Sequence, residues 1–135
     1  MTFVDSNVLL DLLTDDPIWS GWSITAIESA AVAGELLIND VVYAELAVGF
    51  PTIESLDRFV ADADLKIAPI PKAALYLAAK THLRYRRSGG TRTSVLPDFF
   101  IGAQAAVLKA AILTRDARRF RTYFPTVELF SPDMD

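Results

Sequence analysis

The sequence predicts an α/β domain with a mostly parallel sheet covered by helices on both faces. Short apolar runs recur along the chain: Phe3-Val4, Leu36-Leu37-Ile38, Leu65-Lys66-Ile67-Ala68, Ala111-Ile112-Leu113-Thr114 and Val127-Glu128-Leu129-Phe130. Each is of strand length, and longer stretches with helical spacing of apolar residues separate them. Strands that alternate with helices are the pattern of a parallel sheet buried on both sides. No internal repeat or linker appears, and 135 residues make one domain of ordinary size, spanning 1–135.

The first run stops at Asp5 and turns at once into a helix. Val8, Leu9, Leu12 and Leu13 are expected on its inner face, with Asp11 off it. Asp16-Pro17 reads as an N-cap followed by proline at the first helical position, opening a helix from Ile18 to Ala33 that stops at Gly34. The second strand is Leu36-Leu37-Ile38. A helix from Val41 to Val48 carries Glu45, and Pro51 breaks it. Thr52 to Ala63 reads as an amphipathic helix with Ile53, Leu56, Phe59 and Val60 inward. After the third strand, Pro71 opens a long helix that ends in Arg84-Tyr85-Arg86-Arg87, cations placed where the helix dipole favours them. Ser88-Gly89-Gly90-Thr91-Arg92-Thr93-Ser94 is a loop. Pro97-Asp98 starts the next helix, the fourth strand follows, and a short helix runs to about Tyr123. Val127 to Phe130 is the fifth strand, and the tail from Ser131 to Asp135 is expected to fray.

Composition narrows the function. AVILMFWYC residues make up 52% of the chain, enough for a sizeable core, yet no apolar run approaches the roughly 18 residues of a membrane span. There is no basic stretch ahead of an apolar one at the N-terminus, so no signal peptide is expected. Cysteine is absent, which excludes disulfides, a thiolate nucleophile and Cys-ligated zinc, and makes a reducing cytoplasm the expected compartment. The net charge is −4, against a protein that simply coats nucleic acid. The charge is uneven: residues 1–64 hold twelve acids and one base, Arg58, while residues 65–135 hold five acids and twelve bases. Folding an acidic half against a basic half would place carboxylates beside phosphate-binding arginines.

Four acids stand out. Asp5 and Asp116 each follow a strand, Asp98 lies in a first helical turn, and Glu45 sits mid-helix among Tyr43, Ala44, Leu46 and Ala47. Each has a structural alternative: a cap for Asp5 and Asp116, a dipole partner for Asp98, a solvated side chain for Glu45. Taken together they point elsewhere. In a parallel sheet the strand ends share one edge, and neighbouring strands at a switch in strand order face one crevice. Carboxylates gathered there repel and raise one another's pKa values. Mg²⁺ or Mn²⁺ relieves that repulsion, takes oxygen ligands and commonly bridges to phosphate. Asn7 and Thr114 add polar groups at the same two strand ends, able to orient a carboxylate or a water.

These residues resemble PIN-domain ribonucleases of the VapC type, the toxins of toxin–antitoxin pairs. The matching pieces are Val4-Asp5-Ser6-Asn7-Val8-Leu9-Leu10-Asp11, Tyr43-Ala44-Glu45-Leu46, Leu96-Pro97-Asp98-Phe99-Phe100-Ile101-Gly102-Ala103 and Leu113-Thr114-Arg115-Asp116, in order through nearly the whole chain. The resemblance implies a three-layer α/β/α fold with a five-stranded sheet in the order 3-2-1-4-5. It implies that Asp5, Glu45, Asp98 and Asp116 bind Mg²⁺ or Mn²⁺ with support from Thr114, and that RNA is cut to a 5′-phosphate and a 3′-hydroxyl. It also implies a cognate antitoxin that covers the acidic site, and a homodimer. The segment around Trp19 to Trp22 and the basic loop are places where such proteins differ, so substrate choice is not implied.

The hypothesis is therefore metal-dependent hydrolysis of an RNA phosphodiester. The lone His82 excludes a histidine-pair ribonuclease within one chain, and no Gly-x-Ser-x-Gly elbow supports a serine hydrolase. A haloacid-dehalogenase-type phosphohydrolase would want an Asp where Asn7 stands. A receiver-type phospho-acceptor domain would want paired acids after the first strand and a late lysine, but Ser6 follows Asp5 and the last lysine is Lys109. A non-catalytic PIN-like module that only binds RNA or a partner is the remaining alternative. Arg84, Arg86, Arg87 and Arg92 are candidates for contact with RNA phosphates, the alternative being a solvated helix end and loop. Replacing Arg86 and Arg87 by Ala is expected to weaken RNA binding and to flatten its salt dependence. Unchanged affinity across a salt titration would refute that role.

Overall fold

The computed structural model describes residues 1–92 and 95–132. Its elements are β1 (Thr2–Val4), α1 (Ser6–Leu13), α2 (Ser20–Ala33), β2 (Leu36–Ile38), α3 (Asp40–Ala47), α4 (Ile53–Asp62), β3 (Leu65–Ile67), α5 (Lys72–Arg87), α6 (Leu96–Leu108), β4 (Ala111–Leu113), α7 (Arg118–Tyr123) and β5 (Leu129–Phe130). The five strands form one all-parallel sheet in the order β3-β2-β1-β4-β5. The chain winds outward from β1 to β3, returns, and winds outward the other way through β4 and β5. Right-handed crossovers therefore place α1 to α4 on one face and α5 to α7 on the other. The switch in strand order lies between β1 and β4.

The central strands are short and apolar because both of their faces are covered. Phe3, Val4, Leu36, Leu37, Ile38, Ile112 and Leu113 are all buried. At the edge strand β3 only Leu65 is buried, and the exposed Lys66 pairs with Glu35 at 2.8 Å. Helix α6 buries Phe99, Ile101, Gly102, Ala103, Gln104 and Ala105, so it has no wide polar face and serves as the central helix of its layer. Small residues of α5, Ala74 and Ala78, let the two helices approach. Gln104 Nε2 donates to the carbonyls of Ala68 and Pro69, both at 3.1 Å, and fixes the chain that leaves β3. Among the described residues no helix is long and apolar enough to cross a membrane.

Several expectations are corrected. Asp11 is not off the inner face of α1: it is 2% exposed, while Leu13 is 37% exposed. A polar network overrides the apolar pattern here. Ser23 Oγ donates to Asp11 Oδ2 at 2.8 Å, and Arg115 Nε lies 2.9 Å from the same carboxylate, close enough for an ion pair though not aligned as a hydrogen bond. Helix α2 starts at Ser20, later than Ile18. Asp16 Oδ1 accepts from the N–H groups of Ile18 and Trp19 at 2.9 and 2.8 Å, and so closes a turn before the helix instead of capping it. Ile53 is exposed because it is the first residue of α4, on the turn side of the Thr52–Ser55 capping box. Strand β5 is limited to Leu129–Phe130. Thr93 and Ser94 of the expected loop, and residues 133–135 of the expected frayed tail, lie outside the described residues.

Gly102 sets the distance between α6 and α7. A Cβ built there would meet ring atoms of the buried Phe124 at 2.3 Å. Phe124 cannot swing away, since its other neighbours include Phe99, with ring centroids 6.1 Å apart. Gly102→Ala is therefore expected to overpack the core and lower unfolding free energy by about 1–3 kcal/mol, read as a fall in urea midpoint. An unchanged midpoint would mean that α7 is not seated against α6 by this contact.

Candidate active site

Asp5 is the last extended residue before α1, with φ −69° and ψ 148°. Its N–H donates to Leu113 O at 2.9 Å, so its backbone closes the β1–β4 junction. It occupies the N-cap position of α1, yet its side chain makes no capping bond. The carboxylate turns across the sheet edge instead. Thr114, fully buried, donates its hydroxyl to Asp5 Oδ2 at 2.8 Å. That hydroxyl in turn accepts from the N–H of Asp116 at 3.2 Å and from Asn7 Nδ2 at 3.4 Å, which uses one donor and both acceptor sites. Asn7 Nδ2 also lies 3.4 Å from Asp5 Oδ2, and Asn7 Oδ1 accepts from the N–H of Arg115 at 3.3 Å. A strand end, a helix start and the chain after β4 are thus tied to one carboxylate.

Glu45 comes from α3 and is half-buried. Ser6 Oγ donates to its Oε1 at 3.2 Å. Asp98 sits in the first turn of α6, and its Oδ2 is in close ion contact with Arg119 Nη1 from α7. Asp116 is the most exposed of the four. Its Oδ1 accepts from the N–H of Arg118 at 3.3 Å, so it does shape the turn into α7, as a structural reading would have it.

The electrostatics show which acids lie within reach of one another's charge. Asp5 has its pKa raised to about 7, first by burial, then by the negative charge of Asp98 and, less, of Glu45, with the Thr114 hydrogen bond pulling the other way. Glu45 is raised by burial and by Asp98, against its bond from Ser6. Asp98 is raised by burial and by Asp116 even though Arg119 opposes the shift, so its desolvation outweighs the guanidinium beside it. Asp5, Glu45 and Asp98 therefore act on one another, and Asp116 joins through Asp98.

The donor set fits a hard divalent cation in chemistry: every candidate ligand is an oxygen, and Asp5 is a buried anion held by neutral groups alone. Among the described residues, however, no three Asp, Glu or His side chains are gathered closely enough to hold a metal ion as they stand. Asp98 is engaged by Arg119 through Oδ2.

Of the other sequence candidates, Arg84 lies over the Tyr123 ring, 5.8 Å from its centroid. The backbone N–H of Arg92 donates to Tyr85 Oη at 3.1 Å. Arg86 and Arg87 are exposed at the end of α5. His82 is half-buried, with its ring centroid 5.7 Å from that of Phe99 and 6.2 Å from that of Tyr85. Sequence reasoning missed Ser6 as the partner of Glu45, and it missed Arg119. No local signal pointed to Arg119, whose partner Asp98 lies 21 residues away. A larger cavity of about 840 Å³ lies away from the acids, between α2 and β4–β5, and is lined by Trp22, Ala26, Leu113 and Phe130 among others.

The sequence matches the PIN domain family over residues 2–124. No curated protein matches the chain. Among solved structures, that of VapBC2 from Rickettsia felis bound to a DNA fragment from their promoter superposes with a TM-score of 0.74 at 18% identity, covering 96% of this chain and 97% of that one. A toxin–antitoxin complex from Klebsiella pneumoniae gives 0.70 at 20% identity, covering 98% of both chains. FitAcB from Neisseria gonorrhoeae gives 0.68 at 18% identity, covering 100% of both. At these identities the likeness is one of fold.

The raised acids set a pH dependence for the metal-free protein. Asp5 titrates at about 7 in the folded chain against 3.8 for the free group. Between those values the folded state keeps a proton that the unfolded state has lost, so stability falls as pH rises through the window and levels off above it. The full effect is of order 4 kcal/mol for Asp5, and Glu45 and Asp98 act in the same direction. Thermal melts in EDTA are expected to show a lower Tm at about pH 8 than at about pH 5. Asp5→Asn, which keeps an acceptor for Thr114, should melt several degrees above wild type at the higher pH. A wild-type Tm that rises across this range would contradict the placement of these acids.

Proposed function

The chain belongs to the PIN-domain family, a family of nucleases, and from that premise we propose that it is a divalent-cation-dependent endoribonuclease, the toxin of a toxin–antitoxin pair. The observation that carries the reading is the buried Asp5 carboxylate at the β1–β4 switch, held by Thr114 and Asn7 with Glu45 and Asp98 in electrostatic reach. A carboxylate so placed is costly as a mere helix cap and useful as an anchor for a cation. The toxin half of the reading is supported by the fold shared with VapBC2 and FitAcB over nearly the full length of those chains. It brings with it an antitoxin chain as partner, RNA as substrate and pairing of two copies of the toxin.

Asp5, Glu45, Asp98 and Asp116 would hold Mg²⁺ or Mn²⁺. When bound, such a cation would supply activation of a water and charge stabilisation at the scissile phosphate. The chain's own residues do the positioning. Thr114 and Asn7 fix the direction of the Asp5 carboxylate, and Ser6 fixes that of Glu45. Arg119 holds Asp98 and brings the only cation in direct contact with any of these four acids apart from Arg118 beside Asp116, among the described residues.

The Asp98–Arg119 pair favours a second reading, a PIN-like module that binds RNA or a partner without cutting. The two separate in one experiment: purified protein, freed of any antitoxin, incubated with total RNA in Mg²⁺, Mn²⁺ or EDTA beside Asp98→Asn. The nuclease reading expects cleavage with either metal and none in EDTA, with activity at least about 100-fold lower in the variant. Thr114→Val, which removes only the hydroxyl network, is expected to cost about 10–100-fold. RNA left intact by folded, metal-loaded protein would favour the binding module. Cleavage that persists in EDTA and in Asp98→Asn would overturn the carboxylate assignment.

A further inference from the structure

Beside the acids lies a second feature of opposite sign. A cleft of about 250 Å³ is lined by Arg92, Asp116, Arg118, Arg119, Thr122 and Tyr123. Arg84 lies over the Tyr123 ring that forms one wall. Three guanidiniums therefore line this cleft, those of Arg92, Arg118 and Arg119, against one carboxylate, Asp116, in a chain whose net charge is −4. We propose, building on the ribonuclease reading, that this cleft seats a backbone phosphate of the RNA strand next to the one that is cut.

Three observations support the assignment. First, the cleft and the acidic centre share residues. Asp116 belongs to both, and Arg119 lines the cleft while its Nη1 contacts Asp98. A polynucleotide carries a phosphate at every step, so a strand with one phosphate at the carboxylates must place another close by. Second, the walls are built. The Tyr123 ring is wedged edge-on against Tyr85 and Phe99, at 6.0 and 5.4 Å between centroids. The backbone at Gly90 passes close against Tyr85, because Gly90 has no Cβ to meet that ring: one built there would fall 2.4 Å from it. The Arg92 N–H then reaches Tyr85 Oη. Third, the cations outnumber their partners. Arg119 is engaged by Asp98, whereas Arg118 Nε is 3.8 Å from Asp116 with its side chain 86% exposed, a weak pairing in water. Guanidiniums held near each other in this way repel until an anion bridges them, and their planar forks match phosphate oxygens.

An acidic stretch of a protein partner would suit guanidiniums too. The shared wall with the carboxylate centre favours RNA, because a substrate must cross that boundary and a docked acidic segment need not. Arg86 and Arg87, at the exposed end of α5, do not line this cleft, which gives Arg92 and Arg118 the more specific part.

The test is equilibrium binding of a fluorescent single-stranded oligouridylate in EDTA, where no metal-dependent cleavage competes, measured across a salt series. The double variant Arg92→Gln, Arg118→Gln leaves Arg119 and the acids untouched and alters exposed side chains only. It is expected to bind about tenfold more weakly, with the slope of log K against log salt reduced by about 0.7, the loss of one phosphate contact on a single strand. Arg118→Lys keeps the charge and should keep the slope. Arg58→Gln, on α4 beside β3 at the far edge of the sheet, removes a charge elsewhere and should change neither quantity. A double variant with wild-type affinity and slope overturns the proposal. So does one that keeps RNA binding but loses binding to an oligoglutamate peptide, which would make the cleft a protein-docking site. Because the assay reads binding alone, absence of cleavage by the wild type would sink the nuclease reading, while a weaker, flatter binding curve for the double variant would still mark the cleft as a phosphate seat on a bound strand.

Discussion

The hydrogen bond from Thr114 to Asp5 holds the ends of β1 and β4 together, and the site depends on the register that makes it. The two strands pair Thr2 with Ala111, Phe3 with Ile112 and Val4 with Leu113, so residues 5 and 114 leave the sheet side by side. A slip of one residue would send Asp5 to the other face. What prevents the slip is burial on both faces: Phe3, Val4, Ile112 and Leu113 are each at most 1% exposed. The Asp5 carboxylate is therefore held by main chain that cannot shift without opening the core. Asn7 and the N–H of Asp116 then complete the bonding of the Thr114 hydroxyl, which leaves it no rotational freedom.

Seen as structure alone, this arrangement is expensive. Asp5 is desolvated, and two further carboxylates of like sign act on it. An asparagine would satisfy Thr114 equally well without the charge. Arg119 relieves only Asp98, and burial still dominates there. A buried charged position where a neutral residue would be cheaper is the mark of a functional site, and on the reading proposed above its charge would be balanced by a cation. The aromatic cluster behind the site, Tyr85, Phe99, Tyr123 and Phe124, carries no charge and gives α6 and α7 a rigid seat, so that Asp98 and Arg119 meet across a fixed gap.

Much of this was legible in the sequence. The strands were, because burial on both faces writes them as uninterrupted apolar runs. Asp5, Thr114, Asn7 and Asp116 were, because they directly follow two of those runs. The strand order was not written in the periodicity and came from resemblance. What stayed hidden are ties that depend on partners far along the chain. Ser6 reads as a helix start, and only the fold brings Glu45 to it from 39 residues away. Asp11 breaks the apolar stripe of α1, and periodicity alone turns it outward. Ser23 and Arg115 supply what its burial needs, and both come from elsewhere. Arg119 sits in a helix too short to show a pattern.

The chain after β4 explains how the charge asymmetry of the sequence is used. Thr114 turns inward to Asp5, and Arg115 turns to Asp11 and lies over the Trp19 ring at 5.2 Å. Asp116 faces outward, with its side chain 61% exposed, and Arg119 reaches Asp98. One short segment of the basic half thus contacts two acids of the acidic half, Asp5 and Asp11, and one acid of its own half. The two halves do not neutralise each other across a broad face. Apart from the exposed Lys66–Glu35 pair, they meet at this segment among the described residues, and Arg84, Arg92 and Arg118 are left near Tyr123. Opposite charges that are merely balanced would spread over the surface. Here Arg92, Arg118 and Arg119 line one cleft with Asp116, and Asp116 acts on Asp98, so a polyanion bound in that cleft would lie beside the acids.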